Sequence, residues 1–289
     1  MSIYLHSLVI PDLIRDPLAA PKSWTPDQVR GDEEDKISIP RRELIVRAGG
    51  LAAALPLLGA CDAINDAPAV RKILSMGEEM NRASQRALID RDALAREFTR
   101  ADLSPVFRSN GTRLPPGAAY AAHAASGFAD WRVAVTGLVV RPLSLSLADI
   151  RAMPQRTQIT RHDCVEGWSA IGEWTGPQLR RILAAAGVKE RARYIVFRCA
   201  DRLGDALYYE SCDMVDALHP QTILAWALNR EILPIANGAP LRLRLERQLG
   251  YKHAKYVTAI EAVDSLDGIG AGKGGYWEDR IDYEWYAGI

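Results

Sequence analysis

Apolar and polar residues alternate roughly over TQITRHDC (157–164), which with its β-branched residues predicts a strand, and RYIVFRCA (193–200) predicts another. In 239–263 two strands are expected. Leu241, Leu243 and Leu245 alternate with Arg242 and Arg244 in the first of them. The run WRVAVTGLVVRPLSLSLADIRAM (131–153) predicts strand, turn, strand and a short helix. Residues 200–211 are expected as a loop and then a strand, and 213–229 as helix broken at Pro220. Leu179, Ile182, Leu183 and Ala186 recur at helical spacing, and Gly187 ends that helix. Its start is predicted at Thr175, with Gln178 three residues on as a capping box and Pro177 tolerated in the first turn. Cys164 then stands at the end of a strand, at the mouth of a strand–loop–helix unit, where ligands commonly bind. Strands and helices mix irregularly, without a βαβ repeat. The expected class is α+β, a mixed sheet with surrounding helices. The tail 268–289 carries Trp277, Tyr283, Trp285 and Tyr286 and is expected to wrap the core as an ordered loop.

The N-terminal third has a different pattern. Arg41 and Arg42 precede an apolar run, Ala48 to Ala60, shorter than the roughly 20 residues a membrane span needs. Charged, then apolar, then small residues is the order of a secretory signal. The arginine pair resembles a twin-arginine export signal, although Leu44 and Val46 stand where the preferred consensus has Phe and Lys. Leu58-Gly59-Ala60-Cys61 resembles a lipobox, which would make Cys61 a lipid anchor at a membrane surface. The expected organisation is an extension or misassigned start over 1–38, a signal over 39–61, a helical spacer over 62–103 and one domain over 104–289.

Composition narrows the chemistry. The chain has 289 residues, 48% of them hydrophobic, and a formal net charge of zero. It can bury a large core, and nucleic-acid binding is not expected. None of its four cysteines forms a CxxC pair, and its five histidines lack HExxH spacing. Zinc-ribbon and iron–sulfur sites made of cysteines alone are therefore poorly supported. Cys164 instead sits among Arg161, His162, Asp163 and Glu166, a setting for chemistry more than for packing. A second concentration of charge lies at Arg242, Arg244, Arg247, Lys252, His253 and Lys255, opposed by Glu246. Such a segment in a neutral chain suits a small anionic ligand, or else the solvated outer face of a strand. Gly250 would let backbone approach that ligand closely.

CVEGWSAIGEWTGPQLRRIL (164–183) resembles the metal-binding segment of the molybdopterin oxidoreductases with the sulfite-oxidase fold. VFRSNGT (106–112), the 131–154 segment and GAPLRLRLERQLGYKHAKYVTAIE (238–261) resemble further motifs of that family, in the same order, so the likeness spans about 104–289. It implies a molybdenum–molybdopterin cofactor with a single pyranopterin and with Cys164 on the metal. Molybdenum in this class takes soft sulfur donors, two of them from the pterin dithiolene, so one protein thiolate is enough. The likeness further implies cofactor contacts from Asn110, Arg161, His162, Asp201, Arg242, Lys252, His253 and Lys255. Glu166 would shape the pocket or relay a proton. Family members that oxidise sulfite carry basic residues just after the metal cysteine. Here the sequence is Val165-Glu166-Gly167-Trp168, which points to the bacterial periplasmic reductase-like branch, such as methionine-sulfoxide reductases. Asn237 stands where many members have His.

The expected activity is oxygen-atom transfer or reduction at a small or protein-bound substrate such as a sulfoxide. With no CxxCH haem motif or cluster motif in the chain, electrons are expected from a membrane haem protein or a cytochrome. The expected location is the periplasm, possible lipid anchorage at Cys61 included. Two other readings remain: a cysteine hydrolase or transferase with Cys164 as nucleophile and His219 or His253 as base, and a cofactor-binding lipoprotein without turnover.

Overall fold

The computed structural model describes residues 68–289. The expectations for 1–38, for the signal and for Cys61 lie outside the described residues. A helix, α1 (Pro68–Leu88), opens the described chain and docks on the body. Arg86 donates to Asp213 and to Asp216, at 2.8 Å for the shortest contact, and Glu78 accepts the backbone N–H of Tyr286 at 3.0 Å. Among the described residues of the expected helical spacer, Pro68–Leu88 is α-helical, and a single 3-10 turn follows at Arg100–Asp102.

The body follows in chain order. A short helix, α2 (Ala118–Ala125), precedes β1 (Arg132–Gly137), β2 (Leu143–Ser146) and α3 (Leu147–Ala152). This is the strand, turn, strand and helix expected from the pattern. Ser146 caps α3 by accepting from the Asp149 backbone N–H while the Asp149 carboxylate reaches back, a reciprocal box. Next come β3 (Gln155–Asp163), β4 (Ser169–Pro177), α4 (Leu179–Ala186), β5 (Tyr194–Leu203), β6 (Ala206–Asp213) and α5 (Met214–Ala217). The chain ends with β7 (Ile223–Ala225), β8 (Ala227–Leu228), β9 (Glu231–Ile232), β10 (Arg242–Arg244), β11 (Val257–Val263) and α6 (Tyr276–Ile281).

One five-stranded sheet has the order β2-β1-β11-β5-β6, a four-stranded sheet has β3-β4-β8-β9, and β10 pairs with β7. β1 and β11 run parallel although far apart in sequence, while β11 and β5 are antiparallel. A mixed sheet beside antiparallel ones, with helices around them, is the expected α+β class. The main core gathers Trp131, Val133, Val135, Ile150, Ile182, Phe197 and Ile260, all nearly inaccessible to water. A smaller cluster of Trp174, Ile223, Ala225, Leu228 and Leu233 packs under Phe107.

Three local expectations are corrected. Thr175 is not a helix cap. It lies in β4, opposite Thr157, with the two hydroxyl oxygens 2.9 Å apart. The helix starts one turn later, after Gln178, because β4 stays paired with β3 up to Pro177 and, at Trp174 and Thr175, with β8 as well. Cys164 therefore opens a strand–turn–strand hairpin and not a strand–loop–helix unit. Residues 213–229 hold only one turn of helix. A turn follows, and then the strands β7 and β8, since Ile223 to Ala225 can bury completely against β10. The tail does wrap the core, but through the helix α6 and not as loop alone.

Candidate active site

The β3–β4 hairpin turns directly after Asp163. The Cys164 N–H donates to Trp168 O at 2.9 Å, and the Gly167 N–H donates back to Cys164 O at 3.0 Å. Gly167 has φ +85°, a left-handed conformation that glycine adopts without side-chain strain. This closed turn aims Cys164 into a cavity whose empty space is about 690 Å³ including its mouth. Asn110, Thr112, Glu166, Asp201, Tyr251, His253, Lys255, Trp277 and Tyr283 line it with the cysteine. Asn110 Nδ2 points at Cys164 Sγ from 3.9 Å. Burial pushes the thiol pKa up, and the Glu166 backbone N–H and Asn110 oppose that shift. No histidine is bonded to the thiol among the described residues.

The structure brings most expected site residues together. Asn110, Cys164, Glu166, Asp201, His253 and Lys255 are on the cavity wall. His162 stands behind it, its ring 5.0 Å from that of His253 and its Nδ1 3.0 Å from Arg244 Nη1. Burial, with the charges of Arg242 and Arg244, holds both histidines well below the usual range, so both are neutral. Glycine at 250 is required here: a Cβ would come within 2.5 Å of His162 Nε2. Arg242 is completely buried and donates only to Asn237 O, at 3.2 Å. Burial and the neighbouring Arg244 lower its pKa to about 9. Burial raises the Asp201 carboxyl to about 6, with Lys255 opposing.

Two residues are not where the sequence led us to expect them. Arg161 faces outward and pairs with Asp163 at 2.9 Å, because alternation along β3 turns His162 inward and Arg161 out. Lys252 does not reach the cavity. Its ammonium is closed between Glu210, at 2.5 Å, and Glu278, at 2.7 Å, with all three side chains fully buried. Those two acids lie far from it in sequence, so the basic run gave no sign of them. Arg244 is likewise satisfied by Glu246 at 2.7 Å. Lys255 Nζ is taken up by three backbone carbonyls and Arg247 pairs with Asp216 at 2.9 Å, so within the run Arg242 and His253 remain for a ligand. Thr112, Tyr251, Trp277 and Tyr283 also form the wall, and the sequence pattern had not marked them as site residues. The aromatic tail was the available signal. Cys199 and Cys212 are free and buried, and neither is among the cavity's lining residues.

These residues fit a molybdopterin. Inside the protein, Arg242 Nε and Nη2, His253 Nδ1, His162 Nε2 and Asn110 Oδ1 have no hydrogen-bond partner. Buried polar atoms are rarely left so, and each costs about 1–3 kcal/mol unless something binds it. An arginine without a carboxylate suits a phosphate, and the ring nitrogens and amide suit a polar heterocycle. Among the described residues no group of three or more His, Cys, Asp or Glu could hold a metal ion. One thiolate at Cys164 suits a metal whose other donors come with the cofactor.

Comparison with known proteins agrees. A family model described as an oxidoreductase molybdopterin-binding domain matches residues 120–267. YedZ1 of Azospira oryzae, to which the role of protein-methionine-sulfoxide reductase subunit is ascribed, is 35% identical over 87% of this chain and 89% of its own. The protein-methionine-sulfoxide reductase catalytic subunit MsrP of Campylobacter jejuni is 33% identical over 46% of this chain and 48% of its own. MsrP of Ralstonia nicotianae is 36% identical over 46% of this chain and 44% of its own. The chain thus matches about half the length of the MsrP relatives.

Proposed function

The chain belongs to the molybdopterin-binding oxidoreductases, and from that membership we propose that it reduces the sulfoxide of oxidised methionine, free or within proteins. It is a molybdenum-dependent enzyme of the sulfite-oxidase fold, and its cofactor is molybdenum–molybdopterin. The observation that carries the reading is the lone Cys164 on the cavity wall, followed by an acid and not by the basic residues of sulfite oxidisers. The balance is simple. A sulfoxide takes two electrons and two protons, the S–O bond breaks, and a thioether and water leave. The bound cofactor supplies the two-electron chemistry and the oxygen-accepting metal.

The chain's own residues hold and orient. Cys164 anchors the metal, and its hairpin turn fixes the direction of the sulfur. Arg242, His253 and Asn110 hold the cofactor's polar groups. Glu166 sits exposed at the mouth, its carboxylate fixed by the Trp168 Nε1–H at 3.0 Å, and is placed to pass protons from solvent. A hydrolase reading loses support because, among the described residues, no histidine is bonded to the Cys164 thiol. His219 is bound to Ala93 O, and His253 Nε2 faces Gln248 O. The test is turnover of methionine sulfoxide by purified holoenzyme with a reduced viologen as donor. Expected is dye oxidation at two electrons per thioether formed. Molybdenum-loaded enzyme that forms no thioether would refute the reading.

Electrons come from a separate partner in this reading, because the chain has no haem or cluster motif and its relatives are named as subunits. A membrane haem protein or cytochrome suits that role. Export to the periplasm and a lipid at Cys61 would hold the enzyme beside it, and the arginine pair and lipobox-like segment support this. Cell fractionation checks it. Wild type is expected in the membrane fraction of the envelope and Cys61→Ala in the soluble periplasm. Wild type confined to the cytoplasm would remove the localisation.

A further inference from the structure

The walls of the cavity are unequal. On the polar side Lys255, whose pKa burial and then Arg242 lower to about 7, is the lysine among the described lining residues, and His253 is neutral. Lys255 Nζ donates to Asn110 O at 2.7 Å, to Ala236 O at 3.0 Å and to Thr112 O. An ammonium has three donors, so none remains for a substrate. Glu166 and Asp201 add carboxyl groups to the same lining. An oxyanion entering here would meet acids and no free cation, at a cost not recovered by new bonds.

The other side is aromatic. Tyr251 and Tyr283 meet edge to face at 5.0 Å, and Trp277 follows Tyr283 at 6.1 Å. This wall is held from behind. The Tyr251 hydroxyl donates to Glu284 O at 2.6 Å. Glu278, next to Trp277, is gripped by Lys252, whose neighbours Tyr251 and His253 line the cavity. Asp279 accepts the backbone N–H groups of Ala271 and Lys273, both at 2.9 Å, and the Tyr209 hydroxyl. Rings fixed in advance bind without the entropy cost of ordering them. The alkyl or aryl group beside a sulfoxide gains buried apolar area and edge or offset contacts against such rings.

We propose that Trp277, Tyr283 and Tyr251 are the specificity-determining subsite, an aromatic wall that takes the uncharged alkyl or aryl group beside a sulfoxide and excludes oxyanions. This rests on the sulfoxide reading above. The test uses holoenzyme with reduced viologen and three substrates: methyl p-tolyl sulfoxide, dimethyl sulfoxide and nitrate. In Trp277→Leu and Tyr283→Leu, KM for methyl p-tolyl sulfoxide rises about tenfold, the equivalent of about 1.4 kcal/mol. Turnover number and molybdenum per chain stay within about twofold, and KM for dimethyl sulfoxide moves less than about threefold. Nitrate is not reduced. Wild-type KM in both variants, or loss of molybdenum from either, overturns the subsite while sulfoxide reduction stands. A fully loaded wild type that reduces no sulfoxide overturns the sulfoxide reading itself, and the subsite with it.

Discussion

Cys164→Ser lowers sulfoxide turnover by more than about 100-fold and lowers molybdenum per chain in the same preparation. The size follows from the donor set. Loss of a residue that merely supports a metal ligand costs about 10–100-fold, and Cys164 is the ligand itself. Serine keeps the shape of the turn, so Cys164 N to Trp168 O and Gly167 N to Cys164 O both survive. What changes is the atom: a hard, neutral hydroxyl replaces a soft sulfur that ionises on the metal. Cys199→Ser is the control. Cys199 is fully buried in β5, its thiol is pushed well up by burial, and it is off the cavity wall. Its variant should lose stability without losing molybdenum from the folded fraction. Elemental analysis together with the viologen assay checks both. Full molybdenum and full turnover in Cys164→Ser would remove the ligand assignment, and with it the mechanism.

Much of this site was legible in the sequence because its pieces are local. Cys164 and Glu166 sit on one tight turn, and the alternation of β3 selects His162 over Arg161 for the inner face. Arg242 could be found in its basic run because alternation in β10 is easy to see. What alternation could not tell is that β10 is buried on both faces, so its arginines are core and not surface. One of them then needs Glu246, and the other is left for a ligand. The short strands β7 and β8 were hidden for a related reason. Residues 213–229 have helical composition, and only pairing with β10, β4 and β9 makes them extended. Tertiary pairing overrides a weak local preference. The aromatic wall was half visible: the tail's rings had to be buried somewhere, but the cavity beside them is a product of the whole fold.

Lys252→Met lowers unfolding free energy by about 3–5 kcal/mol, the usual consequence of removing one partner from a buried ion pair. The lysine serves two acids at once, Glu210 at 2.5 Å and Glu278 at 2.7 Å, and none of the three side chains touches solvent. Even with the lysine present, burial and then Glu278 push the Glu210 pKa well above its ordinary value, while Lys252 opposes them. Without it, nothing opposes the rise. A carboxyl whose folded pKa lies above the unfolded value of about 4.3 stabilises the fold at low pH, and that contribution is lost as pH rises. The deficit of Lys252→Met should therefore be largest at neutral pH and shrink as pH falls toward about 4.3. Adding Glu210→Gln removes one of the stranded charges, so the double variant should recover part of the loss, a coupling that a double-mutant cycle measures. The readout is the midpoint of urea unfolding of the purified chain at several pH values. A wild-type midpoint in Lys252→Met, or a deficit independent of pH, would mean that Lys252 is not the cation holding these acids. A cofactor-phosphate role predicts the opposite pattern: molybdenum lost, with the stability of the cofactor-free chain unchanged.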